Sequence, residues 1–178
     1  VRHNIAPDQK LVALLPGSRR NELKKIVPLM LKVIKANPHY QFAVAALKSL
    51  PADLYRPMER QPNVQLIFDA TYDLLAHARA AIVTSGTATL ETGLFKVPQV
   101  VVYKLGQFEY LMGKMLVKVK HISLINLIAN NEVIKELIQR QASPKAVNME
   151  LNRLVEEGPY RTRMLADYEQ VHQILDTG

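Results

Sequence analysis

The chain has 178 residues, 48% of them hydrophobic and 22% charged, a balance that excludes a wholly disordered chain and suits one folded domain. Cysteine is absent, which excludes a disulfide framework and thiolate chemistry, and no apolar run nears the ~18 residues that span a bilayer. The net charge of +7 calls for an anionic partner, but no Lys/Arg-rich tail or Arg–aromatic repeat is present, so nucleic acid is not expected. No signal or transit peptide is read at the start, which fits the cytoplasm. The chain opens at Val1, almost directly on a strand, and reads as part of something longer.

In chain order, Lys10–Leu15 is a short apolar run closed by Pro16-Gly17, which predicts a buried strand and its turn. Asn21–Ala36 follows as a helix, with Leu23, Ile26, Val27, Met30, Leu31 and Ile34 at helical spacing and Asn37-Pro38 as its stop. Gln41–Ala46 predicts a second strand, and Pro51 to Pro62 a short helix with loops. Val64–Phe68 is the third strand, Tyr72–Ala78 a short helix and Ala80–Thr84 the fourth strand. Thr87–Phe95 is a helix, and Gln99–Tyr103 the fifth strand. From there the pattern predicts helices over Phe108–Val117, Leu124–Ala129, Val133–Gln139, Pro144–Glu156 and Arg161–Leu175, with Gly158-Pro159 as a break. Strands alternating with helices give an α/β fold: a Rossmann-like, doubly wound parallel sheet with a helical carboxy-terminal tail.

Ligands in such sheets bind outside the carboxyl ends of the strands, where the strand order reverses. Two strand-to-helix junctions have suitable composition. At the first, Gly17 lets a ligand approach the main chain, Ser18 is expected to cap the helix, and Arg19 can fork onto a phosphate. The plain alternative is a turn glycine, a cap and solvated arginines. Neither the Walker pattern nor Gly-x-Gly-x-x-Gly is present. At the second, Ser85-Gly86-Thr87-Ala88-Thr89-Leu90-Glu91, small and hydroxylated residues open a helix whose free N–H groups suit a pyrophosphate. Glu91, within about two turns, suits the two hydroxyls of a ribose; the alternative is a well-capped helix with a dipole-complementing carboxylate.

Pro16-Gly17-Ser18-Arg19-x-x-Glu22, Ser85 to Glu91, the stretch Ile122 to Ala129 and Glu136-Leu137-Ile138-Gln139 together resemble the lipid-A-disaccharide synthases, in order from about Lys10 to Val155. The chain departs from the family's pattern at Ile125 and Lys135, where the family has proline. The resemblance implies a GT-B glycosyltransferase, with two Rossmann-like domains and the active site between them. It implies transfer of 2,3-diacylglucosamine from its UDP derivative to the 6-hydroxyl of 2,3-diacylglucosamine 1-phosphate, a lipid monosaccharide phosphate acceptor, with inversion at the anomeric carbon. No cofactor is expected, and no metal.

On this reading residues 1–157 form the nucleotide-sugar-binding domain and 158–178 a carboxy-terminal helix. The amino-terminal GT-B domain, with most of the catalytic groups, lies outside the chain, so the isolated chain is expected to be inactive. The UDP-sugar site is expected to draw on Gly17, Ser18, Arg19, Ser85, Gly86, Thr87, Thr89 and Glu91, with Asn126 and Gln139 implied by the resemblance. Alternatives are another GT-B enzyme of UDP-sugars, an epimerase or N-acetylglucosaminyltransferase, and a non-catalytic nucleotide-binding module.

Tyr103 to His121 interleaves lysines with Phe108, Tyr110, Leu111, Met112, Met115 and Leu116. It suits either peripheral contact with an anionic membrane surface, at the inner face of the inner membrane, or an amphipathic helix packed on the sheet. Self-association is left open. No His/Asp/Glu cluster has metal-ligand spacing. His3, His39 and His172 read as surface positions, His77 as structural, and His121 alone lies near a suspected site.

Overall fold

The computed structural model describes residues 10–84, 86–104 and 121–176. The strands are β1 (Leu11–Leu15), β2 (Gln41–Ala46), β3 (Val64–Phe68), β4 (Ala80–Val83), β5 (Gln99–Tyr103) and β6 (Lys135–Ile138). They form one parallel sheet in the order β3-β2-β1-β4-β5-β6. The helices are α1 (Arg20–Ala36), α2 (Arg56–Glu59), α3 (Thr71–His77), α4 (Gly86–Leu94), α5 (Leu124–Ala129), α6 (Pro144–Val155) and α7 (Pro159–Asp176).

The central strands are apolar throughout because helices cover both faces, and alternate side chains serve two separate cores. Along β1, Val12 and Leu14 join the larger core with Leu23, Ile26, Met30 and Ile34 of α1 and Leu151 and Leu154 of α6. Leu11, Ala13 and Leu15 face the smaller one, with Leu74 and Leu75 of α3 and Val83 of β4. The helical spacing over Asn21–Ala36 is realised as this buried stripe.

The segment Val133–Gln139, expected to be helical, is instead β6. It pairs with β5 in the register Val100↔Lys135 to Tyr103↔Ile138. Lys, Glu and Leu are good helix formers, but the free edge of β5 offers a full ladder of hydrogen bonds, and tertiary context overrides propensity.

α6 starts as expected of its sequence: Ser143 Oγ accepts from Ala146 N at 3.2 Å, and Pro144 occupies the first turn. The break at Gly158-Pro159 separates α6 from α7 without separating their cores, since Met164, Tyr168 and Val171 of α7 belong to the larger cluster. Arg161, also buried, donates to Arg79 O at 2.8 Å and Leu154 O at 2.6 Å, and Tyr168 donates to Val97 O at 3.1 Å. Among the described residues no helix is long and apolar enough to cross a membrane. The expected helix Phe108–Val117 lies outside the described residues.

Candidate functional site

The strand order reverses between β1 and β4, and the two junctions singled out from sequence leave the sheet side by side there. Thr84, just past β4, ties them together. Its N–H and its hydroxyl both donate to Leu15 O, at 3.1 and 2.9 Å. Gly17 has φ +98°, in the left-handed region, and a methyl group on it would stand 2.5 Å from Glu22 Oε2 and 3.2 Å from Thr84 Oγ1. Only glycine fits that corner.

Ser18 is not the helix cap. Arg19 occupies that position, no side chain there accepts a capping bond, and Ser18 is exposed. The work is done from inside the helix. Glu22, in the first turn, reaches back to accept from Ser18 N at 3.3 Å and from Arg19 Nη1 at 3.4 Å. A carboxylate suits that place because it meets free N–H groups and the positive end of the helix dipole. Glu22 therefore holds the Gly17–Arg19 loop while Arg19, 82% exposed, keeps most of its guanidinium outward. The Gly-Ser-Arg-x-x-Glu spacing carries that signal, although Glu22 was not expected in the site.

At the second junction, Gly86 and Thr87 begin α4, with Thr87 exposed; Ser85 lies outside the described residues. Thr89 is fully buried, and its hydroxyl donates to Gly86 O at 2.5 Å. It shapes the first turn from within rather than presenting a group to solvent. Glu91, a turn further on, looks into an open cleft of about 520 Å³ lined also by Leu47, Asp69, Ala70, Thr71, Tyr72 and Asp73. Tyr72 donates to Glu91 Oε1 at 3.2 Å and stacks on Phe95 at 5.4 Å. That hydrogen bond to a carboxylate raises the Tyr72 phenol above its ordinary pKa. Asp69, at φ +53°, closes the far wall, accepting from Lys48 N at 3.3 Å.

The two residues implied by resemblance behave differently. Asn126 is fully buried with its amide committed: Nδ2 donates to Ile134 O and Glu136 Oε1, and Oδ1 accepts from Val133 N and Ile134 N, at 2.9–3.0 Å. Glu136 in turn accepts from Ile122 N, Ser123 N and Ser123 Oγ as well, the last at 2.6 Å. These bonds lock the start of α5 against β6. Gln139 has φ +52°; its N–H donates to Tyr103 O at 2.8 Å and its carbonyl accepts from Lys104 Nζ at 2.9 Å.

The two departures from the family's pattern sit where proline and another residue are interchangeable. Ile125 lies in the first turn of α5, where the N–H needs no helical partner, and Lys135 opens an edge strand. Ile125 packs so closely on α4 that a methyl group on Gly93 would stand 2.4 Å from its Cδ1.

Neither His39 nor His77 enters the site: both are exposed, and His77 Nδ1 lies 2.8 Å from Asp73 O. Of the basic stretch, residues 105–120 lie outside the described residues.

The family model that matches, over residues 2–176, is described as lipid-A-disaccharide synthetase. The lipid-A-disaccharide synthase of Anaeromyxobacter dehalogenans strain 2CP-C is 37% identical over 171 residues, 92% of this chain and 45% of that protein. The one from Nitrosococcus oceani is 36% identical over 185 residues, all of this chain and 48% of that protein. The chain thus spans about half the length of the curated relatives it matches. Among solved structures, CalG4, the calicheamicin glycosyltransferase, superposes with a TM-score of 0.63 at 20% identity, over 95% of this chain and 39% of that one. At that identity it shows the fold alone.

Proposed function

The chain belongs to the lipid-A-disaccharide synthetase family, and from that premise we propose that it is the UDP-sugar-binding half of an inverting glycosyltransferase. The reaction is transfer of 2,3-diacylglucosamine from its UDP derivative to the 6-hydroxyl of 2,3-diacylglucosamine 1-phosphate. One observation carries the reading: at the strand-order reversal a glycine-cornered loop bearing Arg19 meets Thr84, two residues before α4, and Glu91 of α4 faces a cleft. In this arrangement the diphosphate lies against the N–H groups of Gly86 and Thr87 and the guanidinium of Arg19. The ribose diol meets the Glu91 carboxylate, and the base occupies the cleft toward Asp69 and Tyr72.

The acceptor oxygen attacks the anomeric carbon from the face opposite the diphosphate, its C–O bond forms, and the bond from the anomeric carbon to the diphosphate oxygen breaks. The proton passes to a base outside this chain. What this half contributes is stabilisation of the charge that grows on the departing UDP, by donors fixed before the reaction begins. Separately, the net charge of +7 and the lysines of the 105–120 stretch support contact with an anionic membrane surface, where acylated substrates reside.

The test is calorimetric titration of UDP and its 2′,3′-dideoxy analogue into the complete product of the reading frame. Arg19→Ala is expected to lose about tenfold in affinity for both ligands, a charge-assisted bond at an exposed position. Glu91→Ala is expected to lose affinity for UDP but not for the dideoxy ligand. Equal losses of the Glu91 variant for both ligands overturn the ribose assignment; no UDP binding by the wild type overturns the whole reading.

A further inference from the structure

Tyr103 ends β5 under the start of α4, and the scaffold leaves its polar group unexplained. The ring is 5% exposed, and the hydroxyl has no hydrogen-bond partner among the described residues. Buried hydroxyls are paired in the great majority of cases, so an orphan at the carboxyl edge of a sheet points to a ligand. The neighbouring backbone fixes where it points. A methyl group on Gly86 would stand 3.6 Å from the Tyr103 hydroxyl oxygen and 3.5 Å from Ile122 O. The hydroxyl therefore sits at the first residue of α4, a nine-residue helix whose free N–H groups favour an anion. The side chain is held there from both directions, since Tyr103 O accepts from Gln139 N and the ring belongs to the larger core.

From this we infer that the Tyr103 hydroxyl is a further substrate-binding group, donating to a diphosphate oxygen of the nucleotide seated at Gly86. The inference rests on the nucleotide reading above. The hydroxyl is suited to donating rather than ionising, because burial first and the Glu136 carboxylate second raise it well above the ordinary tyrosine range. It is sealed from solvent, so the diphosphate reaches it only when its immediate surroundings shift. The Ile122 turn, clamped by Glu136, lies beside Gly86 on one side.

The deciding variant is Tyr103→Phe, which keeps the ring and removes only the oxygen. In the complete product of the reading frame its thermal midpoint is expected to equal or exceed that of the wild type, because no bond is lost in the free protein. UDP affinity is expected to fall about tenfold, while uridine, lacking the diphosphate, is expected to bind both proteins equally. Unchanged UDP affinity, or an equal loss for uridine, overturns the inference. So does a thermal midpoint several degrees lower, since the hydroxyl would then have a structural partner. Failure of the wild type to bind UDP falls instead on the nucleotide reading itself.

Discussion

The two strand-to-helix junctions and the contact between α5 and β6 carry two kinds of polar chemistry, although both draw on residues of the same family pattern. Around the start of α4 and the Gly17 loop, Arg19, Thr87 and Glu91 keep polar groups turned outward. Between α5 and β6, Asn126, Ser123 and Glu136 spend theirs on one another and on the backbone. Residues of one family pattern thus sit in opposite settings, some turned toward solvent or the cleft and others spent within the fold.

The contrast is most exposed to failure at Asn126. Asn126→Ala strands the Ile134 N–H group, leaves the Val133 N–H only its bond to Asn131 O, and removes one donor from Glu136. It is expected to lower stability by about 3 kcal/mol or more, read from the urea midpoint, with UDP affinity unchanged in the folded fraction. A large affinity loss at unchanged stability would move Asn126 to the open side.

Gly17→Ala is expected to be intermediate. The left-handed φ and the 2.5 Å approach to Glu22 Oε2 impose about 1–2 kcal/mol of strain. Because the close approach is relieved by releasing Glu22, and with it Arg19, while the backbone strain stays, this variant is expected to lose both stability and UDP affinity. Loss of stability alone would separate the loop from the site.

The finest test compares two threonines two residues apart. Thr89→Val deletes a buried bond to Gly86 O and is expected to lower stability by about 1 kcal/mol. Thr87→Val, at an exposed position, is expected to leave stability within about 0.5 kcal/mol and to act on UDP affinity instead. Equal effects of the two on both measurements would erase the distinction within α4.

The sheet was legible in the sequence because buried parallel strands are continuous apolar runs with turn residues after each, as Lys10–Leu15 and Gln99–Tyr103 are. β6 was not, because Lys135 to Ile138 has no such run and becomes a strand only by meeting the edge of β5. The two junctions were legible through Gly17 and Gly86, whose small size at strand ends has few other uses. Which hydroxyls face inward was not, since Thr87 and Thr89 differ only in which side of one helical turn they occupy. Tyr103 gave no local signal either. A tyrosine closing an apolar strand reads as core, and its unpartnered oxygen beside Gly86 marks it out.

Tyr168 and Arg161 give the order of synthesis a structural meaning. The first of them donates to Val97 O, beside the turn that joins α4 to β5, and the second takes up the carbonyls of Arg79 and Leu154. Those partners leave the ribosome some 70 to 80 residues earlier than the first and, for Arg79, the second of these side chains. Until α7 emerges, the Arg79 and Val97 carbonyls lack these two donors, and α4 lacks the part of its cover that Tyr168 supplies beside Gly93. The nascent sheet would then present an unfinished corner of the kind that chaperones hold, and completion of that corner would wait on α7.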